Sequence, residues 1–198
     1  KDSMKEEHTE SKFLSFFAHA DYTLFDKYIF DGAIRNDACS RFGTNNRDAL
    51  FWSAGALWKV KKESFMKDVS WVDDLNFKVS YGTQGNAEIG DYQHLALIGT
   101  TADYAGSSST VIGQPSNPAL TWEKQALLTA SLSGRVINMI DFTLEFYNRK
   151  TSSMLLDVPY NYTTGFKELT ANVGGLRNTG IDITLGIDIL RSRDYFLR

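Results

Sequence analysis

The chain predicts an all-β fold, an antiparallel up-and-down meander of about seven to eight strands that forms a segment of a large transmembrane β-barrel. Three observations carry this. Leu75 to Asn86 alternates strictly between apolar and polar positions, the period of a strand with one greasy and one wet face. The connections are very unequal, a few residues at Phe25 to Lys27 against the whole of 87–116, as in a barrel with tight turns at one rim and working loops at the other. Finally, 13% of the residues are aromatic and only three are proline, a surplus that interfacial aromatic girdles would absorb.

Each strand follows from the same period-two test. In the first, Leu14, Phe16, Ala18, Ala20 and Tyr22 point one way and Ser15, His19 and Asp21 the other, with Phe13 and Phe17 as apolar exceptions on the second face. After Phe25 to Lys27, Tyr28, Phe30, Gly32 and Ile34 alternate with Asp31, Arg35 and Asp37, so Tyr22 and Tyr28 flank one tight turn at the height of an aromatic belt. Gly43 to Asp48 is a loop by its turn residues, and Leu50 to Val60 returns with Trp52 and Trp58 on one face, Trp58 toward the rim opposite that loop.

Glu63 to Asp74 breaks the alternation. Phe65, Met66, Val69 and Val72 fit helical spacing behind a capping Ser64, which suggests a short amphipathic helix, and an irregular turn fits as well. Residues 87–116 carry abundant Gly, Ser and Thr with no sustained period, too long for an idle connection. Leu120 to Gly134 is the next strand, with Trp122, Ala126, Leu128, Ala130 and Leu132 outward and Thr121, Glu123, Gln125, Thr129 and Ser131 inward, and Arg135 at the turn. From Val136 to Arg149, Val136, Asn138, Ile140, Phe142, Leu144 and Phe146 alternate with Asp141, Thr143, Glu145, Tyr147 and Arg149. The last strand, Ile181 to Ile189, sets five branched residues against Asp182, Thr184, Gly186 and Asp188. Two unpartnered aspartates in a dry core would cost several kcal/mol, so this face meets water or a wet lumen.

Several function classes are excluded or left without support. Net charge is −3 with a pI near 5.6, which offers no basic field, so nucleic acid is not a partner. No run of about 18 apolar residues is present, which excludes a transmembrane helix. A mean hydropathy of −0.28 still suits strands that are apolar on one face only. The single Cys39 forms no internal disulfide, and neither His8 nor His94 has a carboxylate at metal spacing, so neither a metal nor a cofactor is expected. His19 and Asp21 share a strand face, but no nucleophile joins them and paired polar residues occur on any barrel strand, so no catalytic residue and no enzyme activity is expected.

Beyond the periodicity, a series of motifs resembles a known family. Asp37-Ala-Cys-Ser-Arg-Phe-Gly43, then Asn46-Arg47 and Phe51-Trp-Ser-Ala-Gly55, is similar to a segment of the SusC/RagA-type TonB-dependent outer-membrane transporters of Bacteroidetes. Phe65 to Leu75, Val79 to Asn86, Asn117 to Lys124, Glu145 to Ser152 and Leu155 to Pro159 look like successive motifs of that family in the same order. Thr164-Gly-Phe166, Asn172-Val-Gly174 and Arg177-Asn-Thr-Gly180 complete a match over nearly the whole chain. Ala38-Cys39 departs from the family's usual Gly-Ser.

The resemblance implies a partial receptor barrel over 1–198, with no counterpart of the plug domain, of the TonB-contacting segment or of a terminal aromatic residue, since the chain ends at Tyr195 to Arg198. It implies an importer of large nutrients, glycans or oligopeptides, in outer-membrane lipid, with a SusD-type lipoprotein lid over the long loops and the TonB complex acting through the missing plug. Asp141, Glu145, Tyr147 and Arg149 would line a wet lumen. Tyr92, Tyr104, Tyr160 and Tyr162, in long loops, are the candidates to stack on cargo or lid, against simple loop packing as the plainer explanation. A soluble all-β carbohydrate-binding module is the alternative. The barrel reading expects an open sheet, not closed by itself.

Overall fold

The structure is a computed structural model, and it describes residues 9–104, 107–166, 168–191 and 196–197. Seven strands form one antiparallel sheet: β1 (Phe13–Leu24), β2 (Tyr28–Cys39), β3 (Asp48–Lys59), β4 (Val72–Asn86), β7 (Glu123–Val136), β8 (Ile140–Ser152) and β11 (Gly175–Ile187). Two further pairs sit in the long connections, β5 (Leu97–Tyr104) with β6 (Ser107–Gln114), and β9 (Leu155–Pro159) with β10 (Glu168–Asn172). A two-residue pair, β12 (Leu190–Arg191) and β13 (Phe196–Leu197), follows the sheet. The seven strands pair in the order β1-β2-β3-β4-β7-β8-β11, and β11 does not return to β1, so the sheet is open. At 12 to 15 residues, strands such as β1 and β4 are long enough to cross a tilted bilayer span of about 9–11 residues.

Residues directly opposed across a ladder share a face, so the register sorts the whole sheet in two. Phe142↔Leu185, Leu144↔Ile183 and Phe146↔Ile181 lie on one face, with Leu132↔Leu144 and Phe77↔Leu132 extending it across β7 and β4. Trp58↔Phe77, Tyr28↔Trp58 and Tyr22↔Phe30 carry it on to β1. The opposite face holds Asp182↔Glu145, Thr184↔Thr143, Ser131↔Glu145, Lys78↔Ser131 and Asp31↔Gly55. The apolar face is uncovered: Ile183 is 70% and Leu185 69% exposed. A soluble sandwich would lay a second sheet there, and among the described residues none does, so the soluble-module alternative gains no support. Acyl chains on this face would stabilise each such side chain by about 1.5–3 kcal/mol.

Six of the eight buried hydrophobic residues among those described lie elsewhere, at the loop end of the sheet, with Val60 and Val72 at the other end. Cys39, Phe42, Ala49, Phe51, Leu120 and Trp122 form one cluster, packed against Ala87, Ile89 and Leu155. Cys39, Ala49 and Phe51 belong to the polar face by register, so the cluster caps that face where the long connections leave it. Here the sequence reading needs correction. Trp122, expected as an outward strand residue, is 2% exposed and precedes β7, because its indole is drawn into the cluster and its Nε1 donates to the Arg47 carbonyl (2.9 Å).

The other end is tight. Leu24 to Tyr28 is a turn with Phe25 and Asp26 at φ 51° and 57°, closed by the Lys27 amide on the Leu24 carbonyl (3.1 Å). Val136 to Ile140 repeats it with Ile137 and Asn138 at 54° and 53°. Left-handed central residues match the twist of paired strands, which selects this geometry although neither turn contains glycine. The second turn was expected at Arg135 and lies two residues later; Asn138, assigned outward, is within it. The amphipathic helix suggested for 63–74 does not form. Its place is taken by two short 3-10 turns, Val60–Lys62 and Ser64–Met66; Phe65 is exposed and Val72, already in β4, is buried, as the irregular-turn alternative has it. Residues 87–116, read as loop, contain the β5–β6 hairpin, and the last strand starts at Gly175, six residues before the expected Ile181.

Candidate functional site

The polar face and the loop platform above it are the surfaces that can meet a solute, and the platform is built from the aromatic cluster upward. Trp122 lies 5.2 Å from Phe42, 5.7 Å from Phe51 and 5.9 Å from Phe13 between ring centroids, so one indole joins the connection after β2, strands β1 and β3, and the entry to β7. The ring of Phe51 occupies space that only a glycine leaves open on β4: a Cβ at Gly85 would sit 2.1 Å from its Cζ.

Polar struts then fix the segments around the cluster. The Asn172 carboxamide accepts from the Thr121 amide (2.8 Å) and donates to the carbonyls of Thr121 (2.7 Å) and Ser153 (2.9 Å), using three of its four hydrogen-bonding sites on backbone. Asn117 donates to Thr170 (2.8 Å), Arg41 Nε to Asp91 (2.8 Å), and Asn46 to Pro118 (3.2 Å). Gln114 donates to the Tyr92 and Leu95 carbonyls (3.1 and 2.9 Å). None of these pairings is within reach of local sequence patterns, since their partners are 19 to 72 residues apart.

Between these struts lies a cleft of about 420 Å³, lined by Glu88, Gln93, Gln114, Asp157, Glu168 and Thr170. Asp157 accepts from the Thr170 hydroxyl (2.6 Å). A second concavity, about 570 Å³, opens on the polar face of β7, β8 and β11, where Thr129, Glu145, Tyr147, Arg149, Asn178 and Asp182 meet. Glu145 and Asp182 are directly opposed like charges, tolerable where water or an arginine can screen them, and Arg149 and Arg177 line the same recess.

The expected lumen residues thus split. Glu145, Tyr147 and Arg149 come together in that recess, with the Tyr147 ring lying over Gly180, where an added Cβ would be 2.5 Å from the phenol oxygen. Asp141 is on the same face but nearer the tight rim, 3.6 Å from Arg135, which also pairs with buried Asp188. Of the four expected loop tyrosines, Tyr92 and Tyr160 have described side chains. Tyr92, at φ 62°, accepts from the Glu10 amide (3.2 Å) and donates to its carbonyl (3.3 Å), a strut between the segment before β1 and the first long connection. Tyr160 is exposed beyond β9, and the side chains of Tyr104 and Tyr162 lie outside the described residues. Missed from sequence were Glu88, Gln93, Asp157 and Glu168, which reach one cleft only because β9–β10 folds back beside the 87–96 segment. Among the described residues no three His, Cys, Asp or Glu side chains form a metal-sized group.

At the tight rim, Glu63 gathers three donors. Tyr28 Oη and Trp58 Nε1 donate to one carboxylate oxygen (2.6 and 3.2 Å), and Lys27 Nζ to the other (3.0 Å). The Tyr28 hydroxyl, then Lys27 and Trp58, hold its carboxyl down to about 2. Asp26 is likewise lowered by its hydrogen bond to Lys62. Tyr28 and Trp58 stack at 6.4 Å on the apolar face, so the network ties an interfacial aromatic pair to the turns.

Comparison with known proteins agrees with this architecture. The family model for the TonB dependent receptor-like β-barrel matches residues 3–197. The chain is 34% identical over 185 residues to TonB-dependent receptor P26 of Formosa agariphila, covering 91% of this chain and 19% of that protein. It is 31% identical over 196 residues to TonB-dependent receptor SusC of Bacteroides thetaiotaomicron, covering 94% and 20%. Among solved structures, the RagAB peptide transporter superposes with a TM-score of 0.86 at 37% identity, over 94% of this chain and 21% of that one. The siderophore receptor PirA of Pseudomonas aeruginosa, at 11% identity and a TM-score of 0.59, shares the fold. The chain spans about a fifth of the length of the curated relatives it matches. With its seven-stranded two-faced sheet, this chain belongs to the TonB-dependent receptor β-barrel family of the bacterial outer membrane.

Proposed function

We propose that this chain supplies wall, lumen lining and outer-loop surface to an active importer of large hydrophilic nutrients, glycans or oligopeptides. The observation that carries the reading is the recess of Glu145, Tyr147, Arg149, Asn178 and Asp182 on the wet face of a sheet whose other face is bare aliphatic. A solute passing such a wall exchanges water for side-chain hydrogen bonds at little net cost. The similarity to SusC and to the RagAB peptide transporter supports the cargo classes. In this reading a SusD-type lipoprotein covers the loop platform, and TonB supplies energy through a plug outside this chain.

The same reading assigns residue roles. Asn172, Trp122 and Tyr92 hold the platform, while Tyr160 and the acidic cleft of Glu88, Asp157 and Glu168 face outward and are free to touch cargo or lid. The test uses the intact transporter that contains this segment. Deleting it in cells offered defined glycans or peptide mixtures as sole nutrient should abolish growth on one class and spare simple sugars and amino acids. Unimpaired growth on both classes, with no ligand co-purifying with the intact protein, would overturn the proposal.

A further inference from the structure

On the wet face near the loop end, Phe17, His19, Arg35, Phe51, Ser53 and Gln84 line a notch of about 390 Å³. Its arginine is unusually well placed. Arg35 Nε stands 2.8 Å from a carboxylate oxygen of Asp37, which is fully buried, and the guanidinium carbon lies 6.0 Å from the Phe51 ring centroid. No aligned hydrogen bond reaches either Asp37 oxygen among the described residues, so this carboxylate has the ion pair alone to offset its burial. Such a carboxylate behind a guanidinium fixes its direction.

Two of the other polar groups of the notch are committed. His19 is paired with Asp21 (3.4 Å), and the Gln84 amide donates to Gln125 (2.6 Å). Among the described residues the two Nη groups of Arg35 make no hydrogen bond and no further ion pair, and beside it Phe17 is 81% exposed. The notch therefore offers a planar two-pronged donor next to one bare aromatic ring. We infer that it is a subsite for the carboxyl-terminal end of an oligopeptide cargo, the Arg35 fork taking the α-carboxylate and the Phe17 ring the last side chain. The two Nη groups match a carboxylate in bidentate geometry. A neutral sugar ring needs donors and acceptors spread around its rim, whereas the charged group of this notch is a single donor fork. This inference rests on the importer reading and narrows it to peptides at this subsite.

The intact transporter, purified from outer membranes, is titrated with a tryptic casein peptide pool in two forms, free acid and carboxyl-terminal amide, and with oligogalacturonate. Wild type should hold the free acids at least about tenfold more tightly than the amides, the worth of a charge-assisted pair. Arg35→Gln should erase that preference while leaving amide binding unchanged. Asp37→Asn, which frees the guanidinium, should weaken it, and Arg35→Lys should restore only part of it. The preference on wild type alone keeps the test decisive if a variant does not assemble. Equal binding of acids and amides by wild type overturns this subsite and leaves peptide import standing, as does an Arg35 dependence seen only with oligogalacturonate while both peptide pools still bind. A notch filled by another part of the transporter would show as variants that shift thermal stability but not the acid preference, which also overturns it. Binding of neither peptide pool removes peptide import itself, and this inference with it.

Discussion

The two ends of the sheet use opposite devices to end the same strands. At the tight rim, two three-residue connections are closed by left-handed turn residues, and the twelve-residue one between β3 and β4 is tied down by Glu63 reaching three donors from two neighbouring strands and a turn. At the loop rim, no turn chemistry could organise some thirty residues, and a buried aromatic cluster does it instead, with Trp122 touching three other rings. The difference teaches where sequence variation can be absorbed. A tight rim is local and polar, so each change there is small, whereas the loop rim depends on a few large side chains whose loss is felt by every segment they join.

The comparison breaks first at Trp122. Trp122→Ala removes the keystone and should cost about 3–5 kcal/mol, freeing the 87–122 and 153–174 segments to limited proteolysis while the tight rim stays protected. Protection equal to wild type in both segments would show that the cluster is not what holds them. Next, Gly85→Ala places a methyl group 2.1 Å from the Phe51 ring and should destabilise by about 1–3 kcal/mol, whereas Gly32→Ala, with its nearest neighbour at 3.9 Å, should be nearly silent in the same thermal unfolding assay. Asn172→Ala leaves Thr121 and Ser153 backbone groups without their partner, a loss of about 1–3 kcal/mol read as faster hydrogen exchange at the β9–β10 base.

The smallest effect belongs to the tight rim and is pH-dependent. Glu63 is held at about 2 in the fold against an ordinary 4.5. A depressed carboxyl stabilises fully above its unfolded value, and that contribution disappears as pH falls from about 4.5 through about 2. The melting difference between wild type and Glu63→Gln should therefore be present at pH 6 and shrink at pH 3. A difference that grows on acidification would have the wrong sign for this network.

How much of this was legible in the sequence divides along the same line. Strand faces were readable because a two-residue period is a local property: Leu144, Phe146, Ile181 and Ile183 fall on the expected side, as do Glu145, Tyr147 and Arg149. The tight turns were placed only roughly, since Ile137 and Asn138 adopt left-handed geometry without a glycine to announce it. Loop structure was hidden. Trp122 obeys the alternation of its strand and yet leaves it for a cluster whose other members, Phe42 and Phe51, are distant in the chain. Tyr92 was a candidate for cargo with loop packing as the plainer explanation, and only its bonds to Glu10, 82 positions away, show which segments it ties together. The helical spacing at 63–74 misled because Phe65 turns outward while Val72 already belongs to β4, so the spaced residues share no helix.

The most direct test of the account asks which side of each ribbon touches lipid. In the intact transporter with Cys39 replaced by serine, single cysteines at Leu144, Ile183 and Leu185, and at Thr143, Asp182 and Thr184, are labelled with a fluorophore in vesicles containing brominated acyl chains. Quenching by the brominated lipid should be strong at the first three and weak at the second three, with aqueous iodide giving the reverse order. Equal quenching of both sets, or protection of Ile183 and Leu144 from lipid and water alike, would place these side chains in a protein interior and contradict the membrane wall.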